Sequence, residues 1–232
     1  MAAITIEDED RKRWTVLGAG ALPRVLVVLG GATFDVARLR NEAADATALV
    51  AADAGAAFCL DAGLMPDAVV GDFDSLPASA RAQIPADKLH QSQDAETNDL
   101  EKALAFVRAR HGDDVDIALV AGAALEGGRA DHAVANLGPL VAEPHARITV
   151  VDGDGRLFAV RRGRVLLEDL VGSMVSILPW TLHGVTVSAE GVQWPLDHAL
   201  LKLGGRGISN EIADPGATID VHDGVALLWV EA

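Results

Sequence analysis

Five apolar runs, each ending in glycine or aspartate, constrain the possible folds of this chain more than any other feature. Because both faces of each run are apolar, the runs are typical of parallel strands covered by helices on both sides. Helical patterns separate them, and the clearest spans Thr97–Gly112, where Thr97 or Asn98 is suited to cap the start. The alternation predicts a doubly wound, mostly parallel α/β domain over residues 23–155. In chain order the runs are RVLVVLGG, ATALVAAD, DAVVGD, VDIALVAG and ARITVVD, which begin at residues 24, 46, 67, 115 and 146.

The sequence changes in character after Gly155. Short strand-like pieces follow at close intervals and are punctuated by Gly, Pro and Asp. They predict an all-β sandwich or barrel over residues 156–232. Residues 1–22 begin with a charged stretch and lack the apolar segment of a secretory signal, so we expect a loosely ordered leader there.

The composition excludes several classes of protein. The formal net charge is −15, and the longest basic block is Arg11–Arg13, so the chain lacks the clustered Lys and Arg of a nucleic-acid groove. No apolar run approaches the ~18 residues of a membrane span. The single cysteine, Cys59, forms no intrachain disulfide, which predicts a cytoplasmic protein. An acidic protein that binds phosphates needs a divalent cation between the two sets of negative charge.

Polar residues collect where the predicted strands end. Asp53 follows the second run, Asp72 and Asp74 follow the third, and GGRADH, which contains Arg129 and Asp131, follows the fourth. Because ligands bind outside the carboxyl ends of the strands in open α/β sheets, we expect these residues in one crevice. The sequence contains no P-loop motif, no G-x-G-x-x-G after a strand and no G-x-S-x-G, so the sites that those motifs build are not predicted.

The pair Asp72 and Asp74 predicts a metal site. Two like charges this close are unfavourable without a cation, and carboxylate oxygens suit Mg2+, which also takes phosphate oxygens. The alternative is a solvated Asp/Ser turn. Arg129 is suited to clamp a phosphate, or else forms a surface ion pair with Asp131.

Three further polar residues have both a structural and a functional interpretation. Asp99 lies in the first turn of the predicted helix, where the helix dipole alone favours a carboxylate. Lys102 is either an exposed lysine or a phosphate contact, and His132 is either a helix-start residue or a general base.

Together these residues resemble the thiamine pyrophosphokinase family. The motifs are DAG at residues 53–55, GDFDS at 71–75, TNDLEKAL at 97–104, GGRADHAVANL at 127–137 and GISNE at 207–211. The first motif of the family often reads Asp-Gly-Gly, whereas this chain has Ala54 in the middle. The resemblance covers about residues 25–231. It implies an α/β domain followed by a β-sandwich, assembled as a homodimer, and a reaction that transfers a pyrophosphoryl group from ATP to the hydroxyl of thiamine and leaves AMP.

The resemblance also implies roles for the polar residues. Asp72, Asp74 and Asp99 would hold Mg2+ on the phosphates of the co-substrate ATP. Asp53 and Asp131 would complete the acidic site, and Arg129 would steady the phosphates as charge shifts. A carboxylate such as Asp72 or Asp99 would take the hydroxyl proton. The nucleotide and phosphate contacts expected from the resemblance are Asp53, Gln93, Lys102, Gly128 and His132.

By the same resemblance, the second domain would receive thiamine. Trp194 offers an indole face to the pyrimidine or to the cationic thiazolium, unless the indole packs in the core. Ser209 and Asn210 can hydrogen-bond the aminopyrimidine edge. In a homodimer this pocket can face the active site of the other chain. Two rival interpretations are a pyrophosphokinase for another heterocyclic alcohol, such as a pterin, and a non-catalytic sensor of thiamine or a nucleotide.

Overall fold

The computed structural model describes residues 1–8, 12–18, 20, 22–31, 35–121, 130–142 and 147–232. The chain divides into two compact units. We call Leu22–Pro139 the α/β unit, and Met1–Ala21 together with Leu140–Ala232 the β unit. None of the helices in the described part of the chain has the length and apolar character that a membrane crossing requires.

The helices and strands alternate in the first part of the chain and give way to strands in the last part. In chain order they are β1 (Ala3–Asp8), β2 (Lys12–Leu17), β3 (Arg24–Leu29), α1 (Val36–Ala44), β4 (Ala48–Ala52), α2 (Gly55–Asp61), β5 (Ala68–Gly71), α3 (Ala78–Arg81), β6 (Leu89–Gln91), α4 (Asp99–His111), β7 (Asp116–Ala121), α5 (Ala130–Ala142), β8 (Arg147–Asp152), β9 (Gly155–Glu168), β10 (Met174–Pro179), β11 (Val185–Glu190), β12 (Leu196–Leu201), β13 (Asn210–Glu211) and β14 (Gly216–Glu231).

The α/β unit is built on a parallel sheet with the strand order β7-β3-β4-β5-β6. Strand β3 lies between β4 and β7, so the chain runs outward from β3 to β6 and then returns to the other side of β3 for β7. This confirms the predicted doubly wound parallel sheet. Because β4 and β5 are neighbours, the residues that follow them emerge side by side at the carboxyl edge of the sheet.

Helix α4 packs against β4 and β5 with the apolar stripe that its sequence shows: Leu100, Ala103, Leu104 and Val107 are all buried. Asn98 caps its start, since its side chain accepts from the N–H of Glu101, and the Glu101 side chain accepts in return from the N–H of Asn98. Gly112 ends the helix at φ 77. The cap places Asp99 in the first turn, at the carboxyl edge of the sheet.

The β unit is a sandwich made from two long strands that bend. Strands β9 and β14 pair over almost their whole length, but their register shifts between Val221 and Val225, and Arg162 has φ 28. On one side of the bend, β9 pairs with β8 and β14 pairs with β10. On the other side, β9 pairs with β1 and β14 pairs with β11. The inward side chains of both halves form one apolar core that includes Phe158, Val165 and Leu228.

Residues 1–22 differ from the predicted loose leader. Strands β1 and β2 form a hairpin that pairs through β1 with β9, and Ile4 and Ile6 are fully buried. Burial of each isoleucine contributes roughly 1.5–3 kcal/mol. This burial orders the segment, although its charged composition predicted a loose leader. Trp14 meets Phe158 edge-on at 6.4 Å between ring centroids, which ties the hairpin to the core.

The boundary between the two units also differs from the prediction. The units divide between Pro139 and Leu140, whereas the sequence placed the boundary at residue 155. The run ARITVVD forms β8, which pairs antiparallel with β9.

Candidate functional site

Asp53 lies at the end of β4 in an unusual backbone conformation. Its φ is 43, in the left-handed region, and its N–H donates to the carbonyl of Val70 at 2.9 Å. Gly71 makes room for it, because a Cβ on Gly71 would lie 3.0 Å from the Cβ of Asp53. Ala54 has an ordinary φ of −57 and therefore causes no strain where the family often has glycine. The strain is at Asp53, which is a sign of a functional position.

The segment Asp72–Phe73–Asp74 is a tight turn directly after β5. The N–H of Asp74 donates to Oδ1 of Asp72 at 3.1 Å, and Phe73 has φ 68. The Phe73 side chain is 8% exposed, and the guanidinium of Arg81 lies 5.1 Å from its ring centroid. The buried aromatic side chain anchors the turn, while the two aspartates on either side of it remain exposed.

Asp99 and Lys102 enter the site from the first turn of α4. The Lys102 ammonium lies 3.3 Å from Oδ2 of Asp72 and 3.4 Å from Oδ1 of Asp99. Its side chain is 5% exposed, whereas those of Asp72 and Asp99 are 44% and 38% exposed. Lys102 is therefore a buried cation that bridges two half-exposed carboxylates from different elements.

Three carboxylates converge at this edge of the sheet. Asp53, Asp72 and Asp99 each place an oxygen within 4.8 Å of the others. Asp53 is 1% exposed, and neither of its carboxylate oxygens has a hydrogen-bond partner of normal geometry in the part of the chain that the structure describes. A buried carboxylate without a partner costs free energy, and a bound cation removes that cost. We call these three residues the acidic cluster, and its donor set fits Mg2+.

The surroundings of the acidic cluster shift the pKa values of Asp53 and Asp72 in opposite directions. Burial raises the pKa of Asp53, and the nearby charges of Asp99 and Asp74 raise it further, while an approach of Ser75 too poor for a normal hydrogen bond partly offsets the rise. The pKa of Asp72 is lowered, mainly by the hydrogen bond from the Asp74 N–H and secondly by the hydrogen bond from the Lys102 ammonium.

Lys102 is subject to two competing effects. Burial lowers its pKa, but the hydrogen bonds and charges of Asp72 and Asp99 together hold the pKa above its ordinary value. Lys102 is therefore charged at neutral pH.

The structure places the remaining predicted residues of the α/β unit around the acidic cluster or away from it. Asp74 is exposed and lies outside the convergent group, although it is close enough to raise the pKa of Asp53. Gln93 is exposed in the loop between β6 and α4. Asp131 and His132 are exposed in the first turn of α5. The predicted contacts Gly128 and Arg129 lie outside the described residues.

The predicted thiamine contacts lie in the β unit. Trp194 is 57% exposed, so its indole is not core packing. The Asn210 side chain is engaged with the backbone of Trp194, since it accepts from the Trp194 N–H at 3.0 Å and donates to the Trp194 carbonyl at 2.8 Å. Asn210 therefore acts as a clamp behind the tryptophan. The Ser209 N–H donates to Oγ of Ser176 at 3.0 Å, and Ser209 itself has φ 57.

Sequence reasoning missed one contact of the acidic site. The side-chain amide of Gln91 donates to the carbonyl of Asp72 at 3.0 Å. Gln91 belongs to β6, a three-residue strand that is too short to be seen as an apolar run. The sequence offered no signal for this contact, because it joins residues 19 positions apart through a side chain.

Two family models match the chain. The model described as the catalytic domain of thiamin pyrophosphokinase matches residues 39–151. The model described as the vitamin B1 binding domain of thiamin pyrophosphokinase matches residues 164–226.

Known proteins that are similar in sequence are thiamine pyrophosphokinases. Thiamine pyrophosphokinase of Bacillus subtilis is 27% identical over 212 residues, which cover 87% of this chain and 95% of the relative. Thiamine pyrophosphokinase 3 of rice is 25% identical over 174 residues, which cover 71% of this chain but only 65% of the longer plant protein.

Solved structures share the fold. The crystal structure of thiamine pyrophosphokinase from Bacillus subtilis aligns with a TM-score of 0.76 and 23% identity, covering 90% of this chain and 99% of that one. The yeast enzyme structure aligns with a TM-score of 0.78 at 14% identity, covering 93% and 88% of the two chains. At these identities the alignments establish the fold.

Proposed function

This chain belongs to the thiamin pyrophosphokinase family, and we propose that it transfers a pyrophosphoryl group from ATP to the hydroxyl of thiamine and releases AMP. The observation that carries the proposal is the acidic cluster, in which a buried carboxylate without a partner meets two others at the carboxyl edge of a doubly wound sheet. The two rival interpretations, another alcohol substrate and a sensor, receive no support from the relatives.

We propose that Asp53, Asp72 and Asp99 hold Mg2+ together with the phosphates of ATP. This set differs from the predicted Asp72, Asp74 and Asp99, because the geometry supports Asp53 in place of Asp74. Bound Mg2+ would neutralise phosphate charge and orient the chain of phosphates for attack. Asp74 lies next to the cluster and supports it, because its N–H donates a hydrogen bond to Oδ1 of Asp72.

The chemistry needs positioning and charge more than a strong base. The thiamine hydroxyl attacks the β-phosphorus, the bond from that phosphorus to the bridging α,β-oxygen breaks, and AMP leaves with the oxygen. Lys102 is a buried, charged group at the cluster and can contact a phosphate oxygen as charge develops there. Arg129 and Asp131 keep their predicted roles on the strength of the family resemblance, as do the nucleotide contacts Gln93, Gly128 and His132.

The proton of the hydroxyl needs an acceptor. Asp72 is a weak base, because the N–H of Asp74 and the Lys102 ammonium lower its pKa. We propose the other predicted acceptor, Asp99, for this role.

Thiamine would bind in the β unit against Trp194, whose exposed indole is held by the Asn210 clamp. A cationic thiazolium or an aminopyrimidine gains from an aromatic face. Ser209 keeps the predicted contact to the pyrimidine edge. We further propose a homodimer in the cytoplasm. The family resemblance supports the dimer, and the single free cysteine, which is buried, suits a reducing compartment.

The proposal is tested by incubating the protein with Mg-ATP and thiamine and separating the products. Thiamine diphosphate and AMP should appear in equal amounts, and neither should form when thiamine is replaced by a pterin alcohol. Asp99→Asn should lower the rate by about 100-fold or more, as expected for a group at the reacting centre. Asp87→Asn, an exposed aspartate in a 3-10 turn, is the matched control and should leave the rate unchanged. ADP as the product, or no AMP with thiamine, would refute the proposal.

A further inference from the structure

The turn after β5 leaves one backbone carbonyl without its ladder partner. Gly71, the last residue of β5, pairs with Gln91 of β6, and its carbonyl accepts from the N–H of Ser92 at 2.8 Å. The left-handed φ of 68 at Phe73 then turns the chain away from β6. The carbonyl of Asp72 receives the side-chain amide of Gln91 at 3.0 Å, so a side chain extends the ladder by one hydrogen bond.

We propose that Gln91 is a positioning residue for the acidic cluster. Its amide fixes the backbone of Asp72, and this keeps the Asp72 carboxylate aligned with those of Asp53 and Asp99. The catalytic part of this inference rests on the proposed function, whereas the effect on cation binding does not.

Asp72 needs such support more than the other two members of the acidic cluster. Asp53 is 1% exposed and packed against Gly71, and Asp99 is held in the first turn of a capped helix. Asp72 lies in an irregular turn and its side chain is 44% exposed. Its Oδ1 also accepts from the N–H of Asp74, so its carboxylate and its carbonyl are both held from outside the strand. Loss of the Gln91 hydrogen bond removes the hold on the Asp72 carbonyl, so the backbone of the turn can rotate and carry the carboxylate out of line with Asp53 and Asp99.

Gln91 contributes little to the fold by burial. Its side chain is exposed, and its strand lies at the end of the sheet. Replacing it with methionine, which has nearly the same shape, leaves no cavity and removes only the donor. The effect of the hydrogen bond on the cluster can thus be measured without unfolding the protein.

The first measurement is cation affinity, read by titrating the metal-free protein with Mn2+ and following the free ion by electron paramagnetic resonance. The Gln91 bond is present without the cation, so the Kd reports only the lost alignment of Asp72, whose upper bound is one net hydrogen bond or about a factor of five. Gln91→Met should therefore raise the Kd for Mn2+ by about two- to fivefold. Gln91→Asn keeps the amide but is one methylene too short to reach, and it should weaken binding equally.

The matched control is Gln83→Met. Gln83 is also exposed and also donates its side-chain amide to a backbone carbonyl at 3.0 Å, that of Ser79, away from the acidic cluster. Both variants lose one bond of the same kind, so they should change the unfolding midpoint alike. Only Gln91→Met should change the Kd for Mn2+.

The kinetic measurement separates positioning from catalysis. In Gln91→Met the Mg2+ concentration for half-maximal rate should rise by about two- to fivefold, in line with the change in Kd, while kcat at saturating Mg2+ stays within twofold of wild type. A Kd for Mn2+ within 1.5-fold of wild type, or an equal change in Gln83→Met, would overturn the inference. If the wild-type protein binds Mn2+ but forms no thiamine diphosphate, the proposed function fails while the Mn2+ titration still decides the role of Gln91.

Discussion

Replacing Asp53 with asparagine should make the metal-free protein more stable and the enzyme inactive. Asp53 is 1% exposed and neither carboxylate oxygen has a partner of normal geometry among the described residues. Asparagine has the same shape, so it fits beside Gly71, and it tolerates the left-handed φ of 43 well. The substitution therefore removes a buried charge without changing the packing.

The size of the effect follows from the distances in the acidic cluster. Two unit charges 4.8 Å apart repel by about 3.5 kcal/mol at an effective dielectric constant of about 20. Asp99 is 38% exposed and Lys102 offsets its charge, so solvent screening reduces the repulsion to about 1 kcal/mol. Relief of the desolvation of Asp53 adds a similar amount, and the total of about 1–2 kcal/mol raises the Tm by roughly 2–8 °C for a chain of this size.

The assay is thermal unfolding in EDTA, repeated with Mn2+ and over a range of pH. Wild type should gain stability from Mn2+, and Asp53→Asn should gain much less, because it has lost a ligand. The folded-state pKa of Asp53 is raised above its ordinary value of 3.8, so folding favours the protonated acid. The stability gap between the variant and wild type should therefore be full at neutral pH and close as the pH falls through that raised pKa.

A less stable Asp53→Asn protein in EDTA would refute this reasoning, since the carboxylate would then be making a stabilising contact. Asp67→Asn is the control. Asp67 is an exposed aspartate that accepts from the N–H of Leu49 at 2.9 Å, and its replacement should bring no gain in stability.

Three further substitutions test the site. Gly71→Ala should lower Mn2+ affinity and activity about tenfold, because the new Cβ would lie 3.0 Å from that of Asp53 and displace its carboxylate. Lys102→Met should cost about 1 kcal/mol in EDTA, a figure discounted for the exposure of its partners, and less with Mg2+, which replaces the lost positive charge. Trp194→Ala should raise the KM for thiamine about tenfold by loss of stacking, with the KM for ATP unchanged.

Each of the three has a control elsewhere in the chain. Gly216→Ala adds a Cβ in open space and should be neutral for Mn2+ binding. Lys88→Met removes a lysine that donates to the Pro66 carbonyl, and Mg2+ should not restore its stability. Leu182→Ala changes a side chain that is 90% exposed and should leave the KM for thiamine alone. Loss of Mn2+ affinity in Trp194→Ala would contradict the assignment of that residue to thiamine.

Much of the acidic site was predictable because it is local. Asp72 and Asp99 stand at the ends of elements whose starts and stops have clear signals, an apolar run in one case and a capped amphipathic helix in the other. The parallel strand order then brings the two elements to one edge. Asn98, which separates Thr97 from Asp99 where the family often has Thr-Asp directly, did not disturb this, since it caps the helix and leaves Asp99 in the first turn.

The contacts that sequence reasoning missed all join residues far apart in the chain. The predicted loose leader is a hairpin whose partner, β9, begins about 150 residues later, and its apolar residues have no local signal for that partner. The Asn210 clamp on Trp194 spans 16 positions, which is also beyond the reach of a local pattern. An Asn or Gln side chain carries both a donor and an acceptor. The residue type alone therefore does not show whether the side chain binds a ligand or the protein backbone.

By itself, the sequence determined that this protein has a doubly wound parallel sheet, a strand-rich second part and carboxylates at the strand ends, because these depend on periodicity and on the residues that stop an element. Only the tertiary structure decided which carboxylates meet. Asp53 joins Asp72 and Asp99, and Asp74 does not, because a left-handed backbone at Asp53 and the missing side chain of Gly71 allow a close approach between neighbouring strands. That approach depends on packing across the sheet, and sequence spacing carries no measure of it.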